Sequence, residues 1–214
     1  MKNRPRDKKA GIIILAALIV ISLAEIIFRA AAMGLEAVIT TANLGEQLAV
    51  IALAVTILVL TAKGKDRACY ISYGAWAGYF ILDQFFELPG MIGNLLSNIS
   101  NPVATLSIVI HLLTMVCIIV IGVLLVEYMS DGTICNRAFN TFCLFAILLL
   151  AFSILISAAG LIFAPSDGAE IILLKKQNTL IIFNNLYRIA MVFLFTFFAY
   201  DSAKAQLKKT NLSK

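Results

Sequence analysis

Six apolar stretches, each about as long as a bilayer-crossing helix, constrain this chain more than any other feature. They lie at roughly 10–30, 44–62, 68–88, 102–127, 138–163 and 179–200. About 20 mostly apolar residues, rising ~1.5 Å each, cover a ~30 Å hydrocarbon core. Of 214 residues, 61% are hydrophobic and 14% charged, so six spans leave almost nothing for a soluble domain. The expected fold is therefore all-α: a polytopic integral membrane protein with one membrane domain over 10–200, a basic tail over 1–9 and another over 201–214. Short connections make sequential helices antiparallel neighbours, so six transmembrane helices should form three hairpins.

The net charge of +5 does not point to nucleic acid, because the basic residues are not clustered as a binding patch. Thirteen of the 17 sit in the N-terminal tail, the 2–3 and 4–5 connections and the C-terminal tail, among them Lys2, Lys9, Lys63, Arg67, Arg137, Lys204 and Lys209. The exceptions are Arg29, Lys175, Lys176 and Arg188. Positive charge collects on the inner side of a membrane. Both termini are expected in the cytoplasm, as an even span number also requires, and the expected location is the plasma membrane. Lys2–Lys9, an apolar run and Ala30–Ala32 mimic a signal peptide. Glu25 and Arg29 interrupt the approach to any cleavage site, so the first span is expected to be retained. Cys69, Cys117, Cys135 and Cys143 show no metal-ligand spacing and are expected as free thiols.

Local signals mark the span ends. Asn101-Pro102 reads as an N-cap followed by proline at the first helical position. Asn43 with Glu46 has capping-box spacing. Pro165-Ser166-Asp167-Gly168 and Asp131-Gly132 read as turns, and 164–178 as the longest loop, with an apolar Ile171–Leu174 patch lying on the membrane or covering the bundle. Pro5, Pro89, Pro102 and Pro165 all fall outside the span interiors, so continuous helices are expected.

Each odd span opens with a basic residue and alanine (Lys9-Ala10, Arg67-Ala68, Arg137-Ala138), a loose repeat. Sixteen and twenty residues beyond these anchors lie Glu25 and Arg29, Asp83 and Glu87, Ser153 and Ser157. Counting backwards, Lys63 leads to Gln47 and Asn43, Lys204 to Arg188 and Asn184, and Glu127 to His111 and Ser107. At ~1.5 Å per residue these positions lie ~24–30 Å from the inner interface. Residues four apart share a helix face, so each helix offers one polar pair at one level. Charges at such depth usually face a bundle interior or a water-filled cavity. The expectation is a polar cavity in the outer half, closed below by an apolar plug. Its ligand-binding candidates are Glu25, Asp83, Glu87, His111, Ser157, Asn184 and Arg188. Structural roles compete: Glu25, Arg29, Asp83 and Arg188 are the candidate ion pairs, and Arg29 and Glu87 can snorkel. Gly74 and Gly78 form a GxxxG beside Trp76, suited to helix packing or to docking of a partner.

No catalytic or metal site is evident. Asp83 is the single aspartate well inside a span, and His111 is the only histidine. No P-loop or soluble nucleotide domain is present, and no cofactor is expected. The leading reading is a non-enzymatic small-molecule transport or substrate-capture protein with an outward-facing site. In size, span number and cytoplasmic termini it resembles the substrate-binding membrane subunits of energy-coupling-factor transporters, a resemblance of architecture that no residue motif carries. The second reading is an accessory or regulatory membrane subunit whose polar layer is structural. Besides the lipid bilayer, the expected partners are a small ligand and a membrane subunit or second copy. Glu25, Glu46, Asp83 and Glu87 against Arg29 and Arg188 leave two acidic groups in excess. A cationic or zwitterionic ligand is accordingly expected over an anion.

Overall fold

The structure is a computed structural model, which describes residues 6–34, 42–63, 66–97, 102–131, 136–163 and 169–212. Among these residues the secondary structure is entirely α-helical. The helices are α1 (Arg6–Met33), α2 (Ala42–Ala62), α3 (Asp66–Ser97), α4 (Pro102–Asp131), α5 (Asn136–Phe163) and α6 (Ala169–Leu212). Four of them contain segments long and apolar enough to cross a membrane: Lys9–Ala32, Thr105–Leu125, Ala138–Phe163 and Ile171–Phe197. α2 carries a shorter apolar run, Leu48–Ala62. A helix satisfies its backbone N–H and C=O groups within itself, which an apolar surrounding demands.

Polarity is distributed inside out. On α1, Ile13, Val20 and Ile27 recur every seven residues on the outer face, with Ile13 and Ile27 67% exposed. The inward face carries Leu15, Leu18, Ser22 and Glu25, all buried. On α5, Leu144, Leu148, Leu155 and Ile162 form an exposed stripe while Ser157 is buried. A chain that exposes leucine and isoleucine and buries glutamate is built for a lipid solvent.

Every helix outruns its expected span, α3 and α6 by the most. α6 begins at Ala169 rather than near 179, so most of the expected 164–178 loop is helical, and Ile172, Leu173 and Leu174 are exposed in its early turns. Polar partners explain the extension: Lys176 Nζ donates to the carbonyl of Ala32 at the end of α1. That carbonyl lies in the last turn, where helical partners run out. Gly34 ends the same helix with φ +88° and donates its N–H to Ala30 O at 3.1 Å, the single-bond left-handed cap that favours glycine. α3 continues through Pro89 to Ser97, past the expected span end at 88, as a continuous helix. Pro89 has no N–H for the carbonyl of Phe85, a loss that one turn of a long helix tolerates. The helix beginning at Pro102 agrees with the sequence. The turns at 165–168 and at Gly132, and the Asn43 and Glu46 side chains, lie outside the described residues.

Each helix packs against the next in the chain, and α6 returns to α1, closing a ring; α6 also meets α3 and α4. Registers follow from individual contacts. Cys143 pairs with Thr196, Ser153 with Asn185 and Gly160 with Asn178, so α5 and α6 run antiparallel. Gly11 lies against Phe197, Phe28 against Phe183 and Ala32 against Lys176, so α1 and α6 do too. The core is apolar, with Leu15, Leu18, Ile57, Trp76, Ile118, Ile121, Leu125, Met191 and Leu194 buried together with Phe80 and Phe195. Phe80 meets Tyr187 edge-on at 6.0 Å and Phe195 at 5.9 Å, tying α3 to α6 two turns from Glu87.

A buried arginine shared by three helices: the candidate functional site

Arg188, on the helix that touches most others, draws in polar groups from two neighbours. Its side chain is 3% exposed. Nη2 donates to Oε2 of Glu87 on α3 at 3.3 Å. Nη1 lies 3.3 Å from Nε2 and 3.5 Å from Nδ1 of His111 on α4. Distances this similar set Nη1 abreast of the ring instead of along either nitrogen's in-plane lone pair, since those lone pairs diverge. Asp83, one turn before Glu87 on the same face of α3, also acts electrostatically on the guanidinium. With His111 counted neutral, Asp83 and Glu87 against Arg188 give the cluster one net negative charge. The burial is uneven: Glu87 is 46% exposed, so the acid faces outward from a base that does not.

Glu25 and Arg29 make a tighter pair within α1. Arg29 donates from Nε at 2.9 Å and from Nη2 at 2.6 Å to the same Oε1 of Glu25. The Glu25 side chain is 3% exposed and that of Arg29 20%. The α1–α6 register sets Glu25 level with residues 184–185, close to the depth of Arg188. α5 contributes a neutral link at this level: Asn185 Nδ2 donates to Ser153 Oγ at 2.8 Å. Ser157, one turn farther along, is buried.

Of the seven ligand-binding candidates, the structure thus brings Glu87, His111 and Arg188 into contact, with Asp83 one turn before Glu87 on α3. Glu25 and Ser157 are buried on flanking helices. Asn184 is exposed, while its neighbour Asn185 is buried and donates to Ser153. Arg188 takes Glu87 as its hydrogen-bonded carboxylate, where Asp83 was expected. Ser107 is exposed, away from the layer. Gly78 has nothing within 4 Å of the position a Cβ would take, so packing against another described part of the chain does not account for it; Gly74 is half-buried. Sequence reasoning missed Lys176, read as loop, and Ser22. Ser22 Oγ and Trp76 Nε1 are buried with no hydrogen-bond partner among the described residues.

Chemically, the arrangement can hold opposite charges side by side: a guanidinium for a carboxylate, two carboxylates for an ammonium, and an imidazole for either. Among the described residues no three His, Cys, Asp or Glu side chains converge as metal ligands would. No protein-family model, curated protein or solved structure matches the chain.

Proposed function

We propose that this chain is a six-span membrane protein of three antiparallel hairpins, with both termini on the cytoplasmic side of the plasma membrane. It captures or transports a small cationic or zwitterionic molecule at the Glu87–His111–Arg188 cluster in the outer half of the bilayer. Orientation rests on the segregation of basic residues, and hairpins on the antiparallel registers of α1, α5 and α6. The observation that carries the functional reading is Arg188 itself. A guanidinium 3% exposed in a helix apolar enough to span a membrane is costly, and it is met by groups from two other helices. A half-exposed carboxylate over a buried base marks a place where solute can compete for the base.

The test is thermal stability of the purified protein in detergent against separate panels of inorganic cations, primary amines, zwitterions and organic anions. At least one cation, amine or zwitterion should raise the melting temperature by several degrees at saturation, and replacing both acids of the cluster, Asp83→Asn with Glu87→Gln, should abolish the shift. A flat response across all panels overturns the reading.

The second reading, an accessory or regulatory subunit with a structural polar layer, draws support from the Glu25–Arg29 pair. Arg29 donates twice to that buried carboxylate from within its own helix, as a stabilising pair does. It gains if the panels are silent while the site residues still govern stability.

A further inference from the structure

We infer that the cluster is built for a zwitterion in particular, with the ligand's carboxylate replacing Glu87 on Arg188 and the released Glu87, with Asp83 behind it, receiving the ligand's ammonium. This rests on the capture reading above and narrows it to one substrate class, molecules carrying an amine and a carboxylate a few ångströms apart, such as amino acids and betaines.

The two arginine–carboxylate pairs among the described residues differ in a way that supports exchange at one and not the other. Charge-assisted N–H···O contacts normally close to ~2.7–2.9 Å, and arginine prefers to give two of them. Arg29 does so, at 2.6 and 2.9 Å, to a carboxylate that is 3% exposed. Arg188 gives Glu87 a single contact at 3.3 Å, and Glu87 is 46% exposed. Among the described contacts, Nη1 and Nη2 are the atoms of the Arg188 fork in use, one on a ring and one on a long contact. A planar guanidinium so held remains shaped for a bidentate carboxylate. The outward carboxylate is the part able to swing aside.

Charge decides between ligand classes. The cluster begins at one net negative charge; a bare anion would raise this to two in a low-dielectric setting, whereas a zwitterion leaves it unchanged. A simple amine is tolerated by charge but makes no use of Arg188, whose burial it would leave unexplained. Only a ligand with both groups engages the arginine and keeps Glu87 paired after it lets go.

The experiment is calorimetric binding to the full-length protein in detergent, with four probe sets: the twenty amino acids, ω-amino acids and betaine, each amino acid's decarboxylated amine, and its N-acetyl derivative. At least one zwitterion should bind ten times or more tighter than its matched amine and its matched N-acetyl acid. Glu87→Gln should then reverse the order of the other two classes. The zwitterion weakens about tenfold, while the N-acetyl acid strengthens because its competitor for Arg188 is gone. Arg188→Lys, which keeps the charge, should lose the preference for the zwitterion over the amine. Amines binding within threefold of the zwitterions overturn this inference and leave the capture reading standing. Silence from every probe overturns this inference, and the capture reading with it if the inorganic cations are silent too. Loss of zwitterion binding in Glu87→Gln without a gain for the N-acetyl acids also overturns the exchange.

Discussion

Removing Arg29 should hurt this protein far more than removing its partner Glu25. The carboxylate is 3% exposed and accepts both donors through one oxygen, at 2.9 and 2.6 Å. Arg29→Gln leaves a buried carboxylate without its guanidinium, and breaking a buried pair from one side costs about 3–5 kcal/mol. Glu25→Gln leaves an arginine that is 20% exposed within a turn of the α1 terminus, where its long stem can carry the charge to the interface. The glutamine carbonyl still accepts a hydrogen bond, so the cost there should be about 1 kcal/mol. The expected gap is therefore ~2–4 kcal/mol, a ratio of roughly 30- to 1000-fold in the unfolding constant. Trp76, the single tryptophan and 1% exposed, supplies the signal for a denaturing-detergent titration from mixed micelles. Equal costs, or a larger one for Glu25→Gln, would refute the reasoning.

The Glu87–Arg188 pair should show a coupling of about 1 kcal/mol in a double-mutant cycle of Glu87→Gln and Arg188→Gln, modest because the contact is a single long one at 3.3 Å; additive losses would mean that the contact contributes nothing. Asn185→Ala should destabilise by about 1–2 kcal/mol by leaving Ser153 without its donor, whereas Asn184→Ala should stay within about 0.5 kcal/mol, and thermal melts of the two variants reversed in rank would contradict the assignment. Gly122→Ala would place a Cβ 2.1 Å from Ile81 Cδ1 and should cost about 1–3 kcal/mol, while Gly78→Ala meets nothing within 4 Å and should be neutral or up to ~1 kcal/mol stabilising; a destabilising Gly78→Ala in the same unfolding titration would instead reveal a partner seated there. Single cysteines at Ser97 and Ser166 should label from outside intact cells, and those at Gly64 and Gly132 should not; the reverse pattern would overturn the topology.

Hydropathy made the helices legible because lipid imposes one rule on every span; three of the four long apolar segments fall where that rule put them, and the last begins eight residues early, at Ile171. The helix ends were less legible because tertiary partners set them. Lys175, Lys176, Gln177 and Asn178 look like loop when each is weighed alone. In the fold Lys176 finds the end of α1 and Asn178 lies against Gly160, so the helix runs on through them. At Pro89 a local breaker was outweighed by the turns on either side. Counting from the basic anchors put Glu87, His111 and Arg188 at one level, and the structure brings these three into contact, since rise per residue is nearly constant. It did not separate Asn184 from Asn185. Relative to Arg188 these stand about 40° and 60° away around the helix, and only the position of α5 decides which one is buried. Asp83 and Glu87 share a face for the same reason, so their order at the guanidinium was also beyond the sequence.

α6 is 44 residues long, about 66 Å of continuous helix. Arg188 sits near its middle, braced by α1, α3, α4 and α5, and Lys209 lies about 31 Å farther along the same rod. A helix of this kind behaves as a lever with its fulcrum at the polar cluster. A tilt of about 10° there would sweep the lysine-bearing end through roughly 5 Å, by the same rise per residue. A solute held at Arg188, as proposed, would thus be joined to Lys204, Lys208 and Lys209 by helix alone, without a loop between them.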